Sequence, residues 1–237
     1  MSIAVEIAVQ DPAGARTTLA EGADRIELCQ ALGVGGLTPS IALIEAAVAA
    51  IGGARVNVLV RPRGGGFVYS DDEVALIAAD ISAAVRVGAG GVVVGALTAD
   101  GHADLEALAR WRDAAGAATL VFHRAIDAAP DLLVTLGELR SVGVDRILTS
   151  GGAPRSIGGV DTLARMVAER GDVEIMAGGG IRTEDIPAIV ATGVGAVHLS
   201  ARATADDGTP SGPGGGAAGY DVTDPALVRA AVAATRG

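Results

Sequence analysis

The sequence predicts a single (β/α)₈ barrel, the TIM-barrel class of α/β fold. Three observations lead there: short apolar runs alternate with longer amphipathic segments eight times, the chain is 237 residues long, and its apolar residues are nearly all aliphatic. Such barrels take about 250 residues, and their parallel strands, covered by helices, are built from Val, Ile, Leu and Ala. Only five residues are Phe, Tyr or Trp, so small side chains must fill the interior by close packing. An open doubly wound sheet shares the alternation but normally has fewer than eight parallel strands.

The apolar runs fall at residues 3–9, 24–29, 55–61, 91–96, 119–123, 145–150, 174–177 and 196–200. Their brevity and the helix-like segments between them mark strands of a parallel sheet. Residues 70–87 read as one of the intervening helices: Ser70 can cap it, Asp71, Asp72 and Glu73 place negative charge in its first turn, and Gly88 ends it. The segments "EGADRIELC", "VGAGGVVVGA" and "VGVDRILTS" each combine a glycine turn with a buried strand, so the unit recurs as a barrel of βα modules requires. Residues 201–220 are rich in Gly and Pro, lose periodicity and read as a mobile loop. A last helix at 224–235 then closes the outer ring, so that one domain spans 1–237.

The formal charge is −10, and all 18 basic residues are Arg, with no Lys. Schiff-base chemistry on a lysine is therefore excluded. The acidic balance argues against nucleic acid or an anionic membrane as partner, although a local Arg cluster can still hold a small anion. Cys29 is the only cysteine, so no intramolecular disulfide forms. No segment approaches the roughly 20 uninterrupted apolar residues of a membrane span, and Glu6 and Asp11 interrupt any signal-peptide pattern. These features predict a cytoplasmic protein.

Side chains alternate faces along a strand, so polar residues at even spacing identify the side that looks into the barrel. That parity selects Glu6 on the first strand; Arg25, Glu27 and Cys29 on the second; Asn57 and Arg61 on the third; His123 on the fifth; and His198 and Ser200 on the eighth. Most stand in the C-terminal halves of their strands, where barrel enzymes hold their catalytic groups. Glu6, Glu27, Cys29, Arg61, His123 and His198 together would make a compact polar mouth. The alternative is an internal ion-pair network joining Glu27 to Arg61, with the histidines filling core space.

Loops add further candidates. "RPRGGGFVYSDDE" places Arg61 and Arg63 beside a flexible glycine run and Phe67, a loop that could fold over an anion or simply pack on the surface. "FHRAID" brings His123, Arg124 and Asp127 together after the fifth strand. The glycine turns at 149–156, with Ser150 and Gly151, and at 177–185, with Gly179 and Gly180, are further candidates: the second offers backbone N–H groups to a phosphate or carboxylate, with Thr183 as a helix cap, while the alternative is that such turns only reverse the chain. His102 lies in a polar loop and reads as solvated.

Seven blocks in order, "GADRIELC", "GGLTPS", "VRPRGGGFVYSDDE", "VVGALT", "FHRAID", "GVDRILTSGG" and "GGGIR", make the chain resemble the CutC copper homeostasis family over nearly its whole length. The resemblance implies a (β/α)₈ barrel, a cytoplasmic homodimer and a role in copper tolerance or trafficking, with Cu(I) and Cys29 as the implied metal and ligand. No organic cofactor is implied. Cu(I) favours two or more soft ligands, so Cys29 would need His123, His198, Met176 or a second subunit to complete a site.

Three functions therefore stand side by side: a copper-binding homeostasis protein; a barrel enzyme working by acid–base chemistry on a small phosphorylated or carboxylated metabolite; and a scaffold without turnover. In the enzyme, Arg61 and Arg124 hold the anion, Glu27 is the base and His123 the acid. Glu6, Arg25, Arg63, Asp127, Ser150, Gly151, Gly179, Gly180 and His198 line its site.

Overall fold

The computed structural model describes residues 3–206, 208 and 219–236. Eight strands form one closed, all-parallel barrel in sequential order: β1 (Ala4–Val9), β2 (Arg25–Leu28), β3 (Val56–Leu59), β4 (Gly91–Val94), β5 (Thr119–Phe122), β6 (Arg146–Thr149), β7 (Glu174–Gly178) and β8 (Ala196–Leu199). The ring closes where Ala4 to Ile7 pair with Ala196 to Leu199. Seven helices occupy the crossovers: α1 (Pro12–Ala20), α2 (Ile41–Ile51), α3 (Asp71–Arg86), α4 (Leu105–Ala115), α5 (Leu132–Ser141), α6 (Val160–Glu169) and α7 (Ile186–Val190). An eighth, α8 (Pro225–Ala234), packs on α1 and α7. No described helix is long and apolar enough to cross a membrane.

Local chemistry explains the helix starts. Ser70 and Glu73 form a reciprocal capping box at α3, and Asp11, Asp104, Asp131 and Asp224 accept hydrogen bonds from the first turns of α1, α4, α5 and α8. Each cap satisfies backbone donors that a helix leaves unpaired at its N-terminus. Thr183, by contrast, caps nothing. It opens a 3₁₀ turn in which the Asp185 carboxylate accepts from the Arg182 N–H.

Residues 201–220, read above as a mobile loop, contain paired backbone at both ends. Strands β9 (Arg202–Ala205) and β10 (Tyr220–Thr223) form an antiparallel ribbon beside the mouth of the barrel; residues 207 and 209–218 lie outside the described ones. Ladder hydrogen bonds give this pair a regular conformation that Gly and Pro content alone did not reveal.

Two apolar bodies result. The larger lies between barrel and helices and includes Trp111, Phe122, Ile26 and Leu120. The smaller fills the barrel with Cys29, Leu59, Val93, Val121, Leu148, Met176 and Ala196, one inward residue from each of seven strands or their ends. Beneath it is a charged layer. Glu6, wholly buried, accepts from Arg25 Nε at 2.8 Å, Asn57 Nδ2 at 2.8 Å and pairs with His198 Nδ1 at 2.9 Å. Glu174 joins Arg25 to Arg146 across the barrel floor at 2.8 and 2.9 Å.

The cost of burying Glu6 is offset by these donors, with His198 the largest favourable contributor, and its pKa falls from 4.5 to about 2. A carboxylate with a depressed folded pKa stabilises the fold above its unfolded pKa and loses that contribution as the pH falls toward the folded value. We therefore expect urea denaturation of Glu6→Gln to show a pH dependence between 5 and 2 that is shallower than wild type by roughly 3 kcal/mol. At pH 7 the same variant should lose about 3 kcal/mol or more, because it leaves two arginines facing a neutral amide.

Candidate functional site

The C-terminal end of the barrel opens into a cavity of about 270 Å³ whose lining includes Glu27, Arg61, Phe67, His123, Arg124 and His198, floored by Leu59 and Leu148. The inward parity read from the strands thus brings four of the polar candidates, Glu27, Arg61, His123 and His198, to one place. Gly179, Gly180, Ile181 and Ser200 also reach it.

Arg61 follows β3 and is buried. Its guanidinium donates to the carbonyls of Val34 at 3.2 Å, Gly36 at 3.3 Å and Gly65 at 2.7 Å, and lies 5.3 Å from the Phe67 ring centroid. No carboxylate among the described residues pairs with it, and its Nε is buried without an acceptor. The carbonyls arrive because the loop after β2 turns sharply through Gly35 and Gly36, both at positive φ; a β-carbon on Gly35 would touch the guanidinium at 3.0 Å. The ion pair between Glu27 and Arg61 that could have explained both residues does not exist.

Glu27, at the inward position of β2, is buried and receives no hydrogen bond from a described residue. Burial pushes its pKa up to about 7, against a smaller opposing pull from His198. His123 ends β5. Its Nδ1 accepts from the Ala125 N–H at 3.1 Å, which assigns the ring proton to Nε2, and Nε2 is buried without a partner. Burial first and the Arg61 charge second lower its pKa to about 3, so the ring is neutral near pH 7. Gly95 makes room for it: a β-carbon there would stand 2.4 Å from the imidazole.

Arg124 is held by Asp127 at 2.8 Å and Ser150 Oγ at 3.2 Å, and it lies against Gly179, where a β-carbon would approach its guanidinium to 2.9 Å. Asp127 itself is occupied by Thr149 Oγ1, Ser150 and the Gly152 N–H. Its carboxylate therefore ties the loop after β5 to the end of β6. The Gly151 N–H is taken by Thr149 Oγ1, which leaves the turn after β7, with Gly180 and Ile181, as the one of the two glycine turns that lines the cavity.

Several candidates lie elsewhere. Glu6 and Arg25 belong to the ion layer below the cavity. Arg63 is pinned outside by Glu73 and loop carbonyls and stacks on Tyr69. Ser150, Gly151 and Asp127 support Arg124 without lining the cavity. His102 pairs with Glu138 on the surface. Conversely, Gly35 and Gly95 act on the site by what they lack, and Leu32, Ile181 and Leu199 line it. Only the glycine-rich context of Gly35 and Gly95 in the sequence could have flagged them.

Cys29 is fully buried, donates weakly to the Val9 carbonyl at 3.7 Å and does not line the cavity. Burial, with Glu27 nearby, raises its pKa and holds it as a thiol. A thiol held protonated and away from the cavity does not fit Cu(I), although Met176 shares its apolar cluster. The donors that do converge are hard: Glu6, Glu27 and His198 offer ligand atoms within 4.8 Å of one another. Glu6 fixes His198 through Nδ1, leaving its Nε2 available.

The CutC family profile matches residues 3–203. A CutC family protein of Rhizobium meliloti is 43% identical over 189 residues, covering 79% of this chain and 76% of that protein. The human copper homeostasis protein cutC homolog is 37% identical over 206 residues, covering 86% and 75%. Among solved structures, CutC from Streptococcus agalactiae superposes with a TM-score of 0.76 at 33% identity, over 84% of this chain and 98% of that one. A thiamine phosphate pyrophosphorylase from Pyrococcus furiosus, at 14% identity and a TM-score of 0.62 over 99% and 96%, shares the fold alone. On the strength of the profile and of these relatives, the chain belongs to the CutC family.

Proposed function

We propose that the barrel mouth is an enzyme site that binds a small phosphorylated or carboxylated metabolite and transfers a proton on it. One observation carries this reading: the Arg61 cation and the Glu27 carboxyl face the same cavity, both buried, and among the described residues Arg61 has no carboxylate partner and Glu27 receives no hydrogen bond, with His198 the positive group that acts on it. Buried charge without a protein partner is costly, and a ligand that brings a negative group and a labile proton would satisfy both. Arg61 and Arg124 then hold the anion, while Gly180 and Ile181 present backbone to it. Glu27, poised near neutrality, takes the proton, and His123 donates through Nε2–H as a neutral imidazole.

The role in copper homeostasis named for the human relative would follow indirectly, through the metabolite. A second reading has copper itself enter at Glu27 and His198, with Glu6 orienting the imidazole, favoured by the clustering of those three donors. Oxygen and nitrogen ligands of this kind suit a divalent ion better than Cu(I). The same proposal has the chain cytoplasmic and homodimeric, and the exposed side chains of Val34, Ile41, Val68 and Leu76 supply apolar surface for a second copy.

Thermal-shift screening of the purified protein against small phosphate and carboxylate metabolites tests the enzyme reading. A true ligand at 100 times its dissociation constant should stabilise by about 2.7 kcal/mol, or several degrees in melting temperature. Arg61→Gln or Arg124→Gln should weaken binding about tenfold or more. No stabilisation by any member would sink the proposal. Copper titration in parallel should find Cys29→Ser indifferent and His198→Gln weakened if the metal reading holds; the reverse pattern would refute it.

Glu27→Gln offers an independent check that the cost of this carboxylate is borne for function. A folded pKa raised to about 7 from 4.5 means that ionisation destabilises the fold progressively between those values. The variant should match wild type in urea near pH 4 and exceed it by roughly 2–3 kcal/mol at pH 8. Equal stability at both pH values would show that Glu27 is not desolvated.

A further inference from the structure

We propose that the substrate is a carbon acid, a small anionic carbonyl compound whose α-proton is removed by Glu27 while its carbonyl oxygen lies between His123 Nε2–H and the Arg61 guanidinium. The inference rests on the enzyme reading above and narrows it to one class of substrate.

Among the described residues that line the cavity, two carry a buried donor without an acceptor, Arg61 at Nε and His123 at Nε2. They belong to neighbouring groups, since Phe67 packs within 5.0 Å of the imidazole centroid and 5.3 Å of the guanidinium. A buried donor costs about 1–3 kcal/mol if it stays unpaired, so this corner is built for an oxygen. Neither donor can turn away. Arg61 is tied to three carbonyls, and His123 is fixed by Ala125 N–H, by Phe67 and by the bare Cα of Gly95. Rigid donors aimed at the place where negative charge develops are the usual means of stabilising an oxyanion.

The same cavity holds an acid–base group, the Glu27 carboxyl on β2, which receives no hydrogen bond from a described residue. A proton acceptor together with an oxygen-binding pair matches a reaction in which a C–H bond is exchanged for charge on a neighbouring oxygen. Glu27 accepts the α-proton. The C–H electron pair becomes the carbon–carbon π bond of an enolate, and the carbonyl π pair moves to the oxygen. Return of the proton to the same carbon completes exchange without oxidant or co-reactant; in a hydroxycarbonyl compound, its delivery to the neighbouring carbon, together with transfer of the hydroxyl proton to the former carbonyl oxygen, completes isomerisation. A neutral imidazole suits this role, because its N–H donates to the enolate oxygen without surrendering the proton. Arg124, beside Gly179 and Gly180, is left for the permanent anionic group, and a cavity of about 270 Å³ limits the substrate to a few carbons and that group.

Hydrogen exchange separates this inference from the reading it rests on. The protein is incubated in deuterium oxide near neutral pD with pyruvate, 2-oxoglutarate, dihydroxyacetone phosphate and glyceraldehyde 3-phosphate, each followed by proton NMR for loss of the α-proton signal. Binding of each probe, and of inorganic phosphate as an anion without an α-proton, is measured by thermal shift in parallel. We expect at least one probe to lose its α-proton signal faster with protein than without. Glu27→Gln should slow that exchange at least 100-fold while still binding the probe, and His123→Ala should slow it about 100-fold with a smaller effect on binding. Binding that depends on Arg61 or Arg124 without exchange of any probe would overturn the carbon-acid inference and leave the anion site standing. Exchange unaffected by Glu27→Gln would also overturn it. Absence of both binding and exchange would remove the enzyme reading and this inference together.

Discussion

The carboxylate of Glu6 is the point on which the barrel interior depends. It sits on β1, at the seam where the ring closes against β8, and takes hydrogen bonds from Arg25 on β2 and Asn57 on β3 while pairing with His198 on β8. Four consecutive strands around the seam are thereby joined through one buried group. With Glu174 holding Arg25 and Arg146, the layer neutralises its own charges and seals the lower barrel. A partly satisfied network would be costly in such a place, whereas a largely satisfied one rigidifies the strands that carry the groups above it.

The contrast between the two ends of the barrel follows from that floor. Below, acids and arginines are matched; at the cavity, Arg61 and Glu27 are not matched with each other. Among the described residues, Arg61 meets loop carbonyls rather than a carboxylate, with its Nε left without an acceptor, and Glu27 receives no hydrogen bond. These are the conditions under which pKa values move apart: Glu6, wrapped in donors, is acidic, while Glu27, one inward position away on the adjacent strand, is shifted toward neutrality. His198 connects the layers, because Glu6 holds one nitrogen while the ring lines the cavity. Perturbed groups at a strand's C-terminal end beside a cavity are the pattern that supports the proposed site.

Much of this was legible in the sequence. The eight strands could be counted because a buried parallel strand is a short apolar run, and the inward residues could be named because the pleat has a period of two. Seven of the observed strands are shorter than the runs by one or two residues at their ends, since runs such as 91–96 continue into loop backbone, whereas β7 extends one residue beyond 174–177. The segment 201–220 illustrates the opposite limit. The ribbon of β9 and β10 lacks an apolar run because it lies largely outside the core, and its order comes from mutual backbone pairing. Asp127 was read as a ligand-facing carboxylate, yet its local motif could not disclose that Thr149, Ser150 and Gly152 would fold back to occupy it.

The sequence by itself determined the barrel, the inward face of each strand, the family and the set of residues from which a site could be made, because all of these depend on periodicity and on short-range order along one chain. Tertiary structure alone decided which charges are paired. Arg25 and Glu27 are separated by a single residue and point the same way, yet one stands in the ion layer and the other in the cavity, a difference of one step up the barrel. Whether a buried charge meets a partner depends on the residues that strands distant in sequence bring to the same height, and on loops such as Gly35–Gly36 that supply or withhold a carbonyl. Those distances of a few ångströms turn the same list of residues into a sealed floor at one level and an unpaired acid, cation and imidazole at the next.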